Sequence, residues 1–345
     1  MMLRVLSLML VLWGANCPAA PLRLALFHTD LERKGPGLLL RDIAKGDDPQ
    51  VNAVIEVIAA VRPDVLLLLD VDYDYDGAAL AALQRALAAR GVVFAHRFAA
   101  RPNTGMATGL DLDANGYLGD AADAQGFGHF SGQGGMALLS RWPILDQEVQ
   151  DFSAFLWRDL PGADLPRTQA GPFPSAKAQA VQRLSTTGHW VVPIQPPSGA
   201  PIYVLAYHAG PPAFEGPEQR NTKRNGDETR LWLHYLNGAL GPRPERRFVV
   251  MGGANQAPSG AAMGALLAHP ALQDPAPRSA GSLRSAGDPF HTVFWPAPGP
   301  GARRVDYVLP SADWQVVEAG VFWPEEDTVA RAASRHRLVW VDLQP

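Results

Sequence analysis

The stretch RPDVLLLLD, residues 62–70, decides the fold of this chain. Its opening Pro-Asp pair ends the segment at residues 51–61, in which apolar residues recur at the spacing of an amphipathic helix. The continuous apolar run at residues 65–69 is typical of a strand covered on both faces, and it delivers Asp70 at its carboxyl end. A helix followed directly by a buried strand predicts an α/β fold.

The rest of the chain continues this alternation of strands and helices. Apolar runs bounded by Gly, Pro or Asp predict further strands, and periodic Ala- and Leu-rich segments predict further helices. Strands are expected at residues 22–27, 136–144, 189–194, 202–207, 248–251, 304–309 and 338–343, and helices at residues 77–90 and 228–240. Because the sequence contains no internal repeat and no linker, residues 21–345 are expected to form one domain.

The composition disfavours fibrous, coiled-coil and disordered classes. The chain has 345 residues, a length that is enough to bury a sizeable core. Of these residues 47% are hydrophobic and 19% are charged, as in ordinary globular proteins. Its 33 glycines and 31 prolines indicate many turns and disfavour a helical bundle. The net charge of -4 supplies no general basic field for coating DNA, although a nucleic acid partner stays open. The single cysteine permits no intrachain disulfide, and we expect a monomer.

Residues 1–20 have the layout of a secretory signal peptide. Arg4 precedes an apolar run at residues 5–13, and small residues close the segment, with cleavage expected near Ala19. The mature protein is therefore expected in the periplasm or outside the cell, without a transmembrane segment, since no later apolar run is long enough to span a bilayer. Two alternatives stay open, a lipoprotein acylated at Cys17 and a retained membrane anchor.

Polar residues follow several of the predicted strands directly. His28 and Asp70 come after the first two strands, and His208 comes after the strand at residues 202–207. These residues lie far apart in the sequence, but a two-sheet sandwich brings the ends of its strands together. We therefore expect one shared site that contains His28, Asp70, His208, Asn255 and His336.

Several stretches of the chain resemble one known superfamily. They cover most of the chain after residue 20 and comprise LRLALFH, RPDVLLLLDVDYD, GGMALLSRWPI, LAYHAGPP, VVMGGANQAP, RVDYVLP and SRHRLVWVDL. Together they resemble the endonuclease/exonuclease/phosphatase superfamily with its deoxyribonuclease-like fold, and GPEQRNTKRNGDETRLW at residues 216–232 resembles a bacterial secreted subgroup. The resemblance implies a four-layer α/β/β/α sandwich, in which two mixed, mostly antiparallel sheets pack face to face with helices outside.

The resemblance also implies metal-dependent phosphoester hydrolysis, usually with magnesium. By position, His208, His336 and Asn255 match catalytic residues of the family. Asp70 stands where the family has its metal-binding Glu, and His28 stands where it has an Asn. These two residues are therefore the predicted metal ligands.

Two replacements predict a degenerate site. Gly253 stands where the family has its catalytic aspartate, and Arg335 replaces the aspartate of the closing Ser-Asp-His motif, so that His336 is expected to lack an orienting carboxylate. A general base contributes about 10²- to 10⁴-fold, and an orienting carboxylate can matter as much. We therefore expect weakened or altered hydrolysis, and whether the protein is still an enzyme stays open.

Three alternatives to magnesium-dependent hydrolysis stay open. His28, Asp70, His208 and His336 form a nitrogen-rich set that suits manganese or zinc, and the rebuilt metal site would use His28, Asp70 and a retained histidine. A non-catalytic pseudoenzyme would instead bind a phosphorylated or polyanionic ligand through Arg335 and the polar run at residues 220–225. A structural protein with a vestigial cleft would bind neither metal nor ligand. The expected partner is a phosphorylated small molecule or a phosphodiester.

Arg220 and Arg224 are further candidate substrate-binding residues, together with Arg335. They follow the strand that carries His208, and arginine pairs bidentately with phosphate. The same run is also typical of a solvated loop that opens a helix.

The stretch DLDANG, which begins at Asp111, has the spacing of a calcium-binding loop. Asp111, Asp113 and Asn115 would supply the first oxygen ligands. The twelfth position of that pattern holds Ala122 rather than a carboxylate, so the EF-hand pattern fails there. A solvated acidic turn is the alternative to a structural calcium site.

Overall fold

The computed structural model describes residues 21–326 and 328–344, so the predicted signal peptide lies outside the described residues. The strands are β1 (Leu22–Leu31), β2 (Val65–Val71), β3 (His96–Phe98), β4 (Gly135–Ser140), β5 (Gln150–Asp151), β6 (Arg167–Thr168), β7 (Gly171–Pro172), β8 (Gly188–Ile194), β9 (Ile202–His208), β10 (Phe248–Gly253), β11 (Val293–Trp295), β12 (Gly301–Arg303), β13 (Asp306–Pro310), β14 (Gln315–Val321) and β15 (Val339–Gln344). The helices are α1 (Leu38–Lys45), α2 (Pro49–Val61), α3 (Ala78–Ala89), α4 (Ala176–Val181), α5 (Arg220–Leu236), α6 (Ala261–Leu267), α7 (Ala280–Ala286) and α8 (Thr328–Ala333).

Two large mixed sheets organise these strands. The first has the order β14-β15-β1-β2-β4-β3, with β1 parallel to β2 and the other neighbours antiparallel. The second has the order β13-β10-β9-β8-β5, with β9 parallel to β10 and the other neighbours antiparallel. Short hairpins join β6 to β7 and β11 to β12.

The two sheets pack face to face. Alternate residues along a strand point toward the other sheet or toward the outer helices. Leu67 and Leu69 of β2 join the inner core between the sheets, whereas Leu66 and Leu68 pack beneath the outer helices. Helices α2, α3 and α8 cover the first sheet, and α5 and α6 cover the second. The predicted four-layer sandwich is therefore confirmed, and the apolar run of β2 is buried on both faces.

Local signals set the boundaries of the helix before β2. The Asp48 carboxylate accepts the backbone N–H of Val51 at 2.8 Å, and Pro49 occupies the first turn of α2. The helix stops at Arg62, whose left-handed backbone lets its N–H donate to the Ile58 carbonyl at 2.9 Å. The described residues contain no helix that is both long and apolar enough to cross a membrane.

Helix α5 begins earlier than the sequence predicts. The predicted helix covers residues 228–240, whereas α5 starts at Arg220. The polar run expected as a loop therefore forms its first turns. Its buried side chains bond to loops that are distant in sequence, with Asn225 Nδ2 donating to the carbonyls of Gly210 and Ala254 at 2.7 and 2.8 Å. A polar sequence does not indicate a buried helix of this kind, because the hydrogen-bond partners of its side chains lie far away in the sequence.

Candidate active site

The carboxyl ends of the central strands of both sheets meet in one place. His28 near the end of β1 and His208 at the end of β9 have ring centroids 4.8 Å apart at an interplanar angle of 73°. His336, which precedes β15, stacks on His28 with a centroid distance of 3.8 Å. All three histidines are buried, with exposed fractions of 8%, 9% and 2%. The structure thus brings together the three histidines that the sequence assigns to one site.

Two β-bulges turn carboxylates toward His28. The pairing register shifts after His28 in β1 and after Leu69 in β2, where Asp30 and Asp70 adopt left-handed backbone conformations with φ of 51° and 59°. The His28 Nε2 atom lies 3.5 Å from Asp70 Oδ2 and 3.8 Å from Asp30 Oδ1. Asp30 is not among the predicted site residues, because the bulge that redirects it leaves no pattern in the sequence.

The carboxylates around His28 favour the protonated form of its buried ring. Burial alone lowers the pKa of His28, but the hydrogen bond and charge of Asp70, with the charges of Asp30 and Asp306, outweigh it and raise that pKa to about 9. Its Nδ1 atom has no partner within the described residues. His28 therefore supplies positive charge where the family resemblance implies an uncharged amide.

His336 keeps an orienting carboxylate, so the expectation that Arg335 deprives it of one is wrong. The His336 Nδ1 atom lies 2.8 Å from Oδ2 of Asp306, which opens β13 and is 1% exposed. Thr292 Oγ1 donates to the same carboxylate oxygen at 2.7 Å and accepts the Asp306 N–H at 3.2 Å. The sequence stretch RVDYVLP contains Asp306, but its role depends on a contact with a segment 30 residues away.

Arg335 pairs with a carboxylate at the edge of the cluster. Its Nη2 and Nε atoms donate to Asp30 Oδ1 and Oδ2 at 3.0 and 3.1 Å, while its side chain stays 57% exposed. Burial raises the pKa of Asp30, but the charges of His28 and Arg335 outweigh it and hold that pKa well below its usual range. Arg335 thus neutralises Asp30, and its exposed position is compatible with the predicted substrate contact.

Further carboxylates extend the cluster on the side of Asp70. Burial and the charge of Asp70 raise the pKa of Glu32 to about 7, and burial raises the pKa of Asp72 to about 6 despite hydrogen bonds from the backbone N–H groups of Gly134 and Arg33. Neither Glu32 nor Asp72 is among the predicted site residues. Crowded carboxylates with raised pKa values are typical of a place where a cation is favoured.

The residues present fit a divalent cation. Ligand atoms of His28, Asp30 and Asp70 all lie within 4.8 Å of one another. Gly134 has a φ of 57°, and an added Cβ there would collide with Asp70 Oδ1 and lie 3.4 Å from Glu32 Oε2, so the glycine keeps the space before these oxygens open. Carboxylate oxygens suit magnesium, and the added imidazole suits manganese or zinc. The proton on His28 must leave before its nitrogen can bind a metal.

Gly253 and Asn255 occupy the end of β10 beside the histidines. Gly253 pairs with His208 in β9 and with Asp306 in β13, and a Cβ added to it would lie 3.2 Å from His208 Cδ2 and 3.5 Å from Asp306 Oδ1. A side chain at this position would therefore point into the cluster. Asn255 Nδ2 donates to the Ala209 carbonyl at 2.8 Å and so joins the ends of β9 and β10.

His208 is neutral at ordinary pH. Burial and the nearby His28 cation lower the pKa of His208 to about 3. Its Nδ1 atom is buried without a partner within the described residues. His208 therefore offers an uncharged ring to the cluster rather than a second cation.

Arg224 and Arg220 bond to residues outside the histidine cluster. Arg224 is 6% exposed, and its Nε and Nη2 atoms donate to the carbonyls of Leu184 and Ser185 at 2.8 and 3.0 Å, with further bonds to Gln125 and Arg183. These bonds hold the guanidinium inside the protein instead of presenting it to a ligand. Arg220 Nη2 donates to Gln182 Oε1 at 3.0 Å.

The predicted calcium loop is a separate acidic turn. Carboxylate oxygens of Asp111, Asp113 and Asp123 lie within 4.8 Å of one another. Asn115 turns its amide nitrogen toward the carboxylates of Asp113 and Asp120, at 3.1 and 2.7 Å. Because these contacts satisfy a solvated turn equally well, calcium binding at this loop stays a prediction.

The protein is a sandwich of two mixed sheets packed face to face. A cluster of histidines and carboxylates lies where the central strands of the two sheets end. The profile of the Endonuclease/Exonuclease/phosphatase family matches residues 38–336. The chain belongs to this family.

Solved structures of low sequence identity share the fold. An endonuclease/exonuclease/phosphatase from Beutenbergia cavernae DSM 12333 is 19% identical with a TM-score of 0.56, and the match covers 94% of this chain and 72% of that one. Family proteins from Bacteroides thetaiotaomicron and Leptotrichia buccalis C-1013-b are each 13% identical, with TM-scores of 0.52 and 0.51, and each match covers 94% of this chain and 97% and 100% of theirs. No curated protein matches the chain.

Proposed function

We propose that the protein is a divalent-cation-dependent phosphoester hydrolase whose rate is weakened by the missing carboxylate at position 253. The observation that carries this proposal is the His336–Asp306 pair, joined at 2.8 Å, beside a cluster of carboxylates that fits a cation. Family membership supplies the reaction class. Asp70 and Glu32, with His28 once its ring loses its proton, would hold the cation, which would polarise a phosphoryl oxygen when bound.

Without a carboxylate at position 253, His336 is the residue best placed to act as the general base in its place. A carboxylate only accepts hydrogen bonds, so the proton of a neutral His336 lies on Nδ1 and its Nε2 lone pair is free to take a proton from water. Burial lowers the pKa of His336 and favours this neutral form. His208 and Asn255 line the same strand ends and would contact the phosphoryl group.

Two features of the cluster weaken the reaction. Gly253 offers no carboxylate as a general base, a group worth about 10²- to 10⁴-fold in rate. The protonated His28 ring lies 3.5 Å from Asp70 and competes with a metal for the same carboxylate. The substrate class that fits is a small phosphodiester or a phosphorylated small molecule.

A second candidate function is metal-independent binding of a phosphorylated ligand by a pseudoenzyme. The observation that favours it is internal charge neutralisation, because His28 faces Asp70 and Arg335 binds Asp30 without any metal. In this case the exposed guanidinium of Arg335 would contact the ligand phosphate.

The experiment that separates the two functions is hydrolysis of bis(p-nitrophenyl) phosphate by metal-stripped mature protein. Magnesium, manganese, zinc and calcium are restored one at a time. Asp70→Asn is compared with Asp76→Asn, which removes an exposed carboxylate from the loop that follows β2. We expect turnover with one metal that Asp70→Asn and His208→Ala abolish and Asp76→Asn preserves. Silence with every metal, in protein shown to be folded, contradicts hydrolysis and makes phosphate binding without metal the remaining function.

We also propose that the protein acts after export, on the basis of the sequence of residues 1–20. Fractionation of the expressing bacterium and N-terminal sequencing of the mature chain test this. A start near Pro21 in the periplasm or medium supports export, and a full-length chain in the cytoplasm contradicts it.

A further inference from the structure

We propose that Trp295 is a flat platform for the organic group of the substrate and selects phosphoesters that carry an aromatic or heteroaromatic ring. This inference rests on the proposed function. Trp295 closes strand β11, and its ring stands edge to face against His336, with a centroid distance of 5.5 Å and an interplanar angle of 88°. A phosphoryl group held at His336 therefore has an indole beside it.

Exposure and packing together distinguish Trp295 from the other described tryptophans. Trp142 and Trp340 are also half-buried, but each packs against a core cluster. Trp190 and Trp232 are 1% and 0% exposed and belong to the hydrophobic core, and Trp323 is 5% exposed. Trp295 is half-buried and belongs to none of the core clusters. An indole that is packed on one side and open on another is suited to stacking.

The β11–β12 hairpin is bonded to the same segment that carries His336. The Arg337 N–H donates to the Thr292 carbonyl at 2.7 Å, and the Phe294 N–H donates to the Arg335 carbonyl at 3.0 Å. Thr292 also binds Asp306, the partner of His336. The position of the Trp295 ring is therefore coupled to the position of the reacting imidazole, as a specificity residue requires.

The tip of the hairpin restricts movement of the indole. Pro296, Pro298 and Pro300 lie in the connection, and the Gly299 N–H donates to the Pro296 carbonyl at 2.7 Å. A Cβ added to Gly299 would lie 2.9 Å from the Trp295 Cβ, so the turn packs directly against the base of the tryptophan. A ring that is fixed before binding loses little entropy when a ligand stacks on it.

The chemistry that fits this platform is a flat ring attached to phosphate through a short link. Stacking of a base on an aromatic side chain is worth about 1–3 kcal/mol, or roughly 5- to 150-fold in affinity. Aryl phosphates and nucleotides share this ring, whereas inorganic phosphate and sugar phosphates lack it. Comparing these ligands isolates the contribution of the platform.

The test is calorimetric binding of four ligands in the presence of each divalent cation in turn. The ligands are p-nitrophenyl phosphate, adenosine 5'-monophosphate, ribose 5-phosphate and inorganic phosphate. We expect Trp295→Ala to weaken binding of the two ring-bearing ligands roughly 5- to 150-fold and to leave the other two unchanged. Trp295→Phe should keep most of the affinity, and Phe294→Ala, which removes the exposed aromatic neighbour, should change none of the four.

The outcomes separate this inference from the proposed function. Wild-type protein that binds phosphate but gains nothing from a ring contradicts the platform and leaves the proposed function standing. An equal loss for all four ligands in Trp295→Ala means that the indole only supports His336, which also contradicts the platform. Failure of the wild type to bind any of the four contradicts both. A preference between the two ring-bearing ligands identifies an aryl ester or a nucleotide as the substrate type.

Discussion

At the scale of single residues, the cluster combines a hydrogen-bonded histidine–carboxylate pair with a second histidine that lies between two other carboxylates. His336 and Asp306 are held at 2.8 Å, whereas His28 brings a titratable ring between Asp30 and Asp70. A proton on His28 and a divalent cation neutralise the same carboxylates, so each disfavours the other. Under the proposed function, the site therefore has the groups for hydrolysis, and the proton on His28 competes with a bound cation for the carboxylates.

Gly253→Asp is expected to raise hydrolysis of bis(p-nitrophenyl) phosphate by about 10²- to 10⁴-fold, because it restores a general base next to His208. The added Cβ would lie 3.0 Å from Leu69 Cδ1, so that leucine must shift slightly. The measurement is kcat/KM with the activating metal. Gly253→Asn, which has the same size and no charge, should give no gain, and a folded Gly253→Asp protein with wild-type activity would refute the assignment of the missing base.

Asp306→Asn is expected to lower kcat by about 10²-fold or more, because an amide no longer fixes the proton of His336 on Nδ1. Asp288→Asn is the matched control, since Asp288 pairs with His291 at the surface, 3.5 Å away. Both variants are compared by steady-state kinetics and circular dichroism. Equal activity of the two variants would show that Asp306 has no part in the reaction.

The sequence predicts that the histidines lie together but does not predict which carboxylates surround them. His28, His208 and His336 stand at strand ends that apolar patterning reveals, so their convergence follows from the fold. Asp30, Asp72 and Glu32 depend on bulges, and Asp306 depends on a contact across 30 residues. The alternation of strands can be predicted from a single sequence, but the register shifts cannot. The positions of these carboxylates therefore could not be predicted.

At the scale of elements, helix α5 acts as a polar clamp on the loops that follow β9 and β10. Asn225 bonds to Gly210 and Ala254, and the Glu228 carboxylate accepts the Gly210 N–H at 2.9 Å. These loops begin immediately after His208 and Gly253. The polar run of α5 thus holds the loops next to the candidate site in place through hydrogen bonds.

Arg224→Gln is expected to destabilise the protein by about 3 kcal/mol or more, because it leaves several buried carbonyls without a donor. The measurement is the free energy of unfolding in urea. Arg85→Gln on the exposed face of α3 is the control and should change that free energy by less than about 0.5 kcal/mol. A raised KM for substrate with wild-type stability would instead assign Arg224 to ligand binding.

At the scale of the whole molecule, most elements follow from apolar patterning and the exceptions have a common cause. Strands β2, β8 and β10 are fully apolar or nearly so, and their predicted positions agree with the structure to within two residues. The early part of α5 is polar yet buried, and β14 is largely exposed at a sheet edge. In both, contacts with the assembled sandwich decide the structure, and no local pattern reports those contacts.

One buried histidine contributes to the stability of the assembled fold at neutral pH, and this contribution is lost in mild acid. His189 is 0% exposed, its Nε2–H donates to the Glu228 carbonyl at 2.9 Å, and its Nδ1 lies 2.6 Å from Ser185 Oγ. Burial lowers the pKa of His189 from 6.5 to about 4. The unfolded chain therefore takes up a proton at higher pH than the folded protein, and this contribution to stability is complete above about pH 6.5 and is lost as the pH falls to about 4.

We expect the stability advantage of wild type over His189→Gln to shrink by on the order of 3 kcal/mol between pH 7 and pH 4, because glutamine does not titrate. The measurement is urea unfolding of both proteins across this range. Comparing the pair cancels the many carboxylates that titrate in both. A constant difference would show that His189 binds its proton equally in the folded and unfolded chains, and would remove the buried contact between β8 and α5 as the source of acid sensitivity.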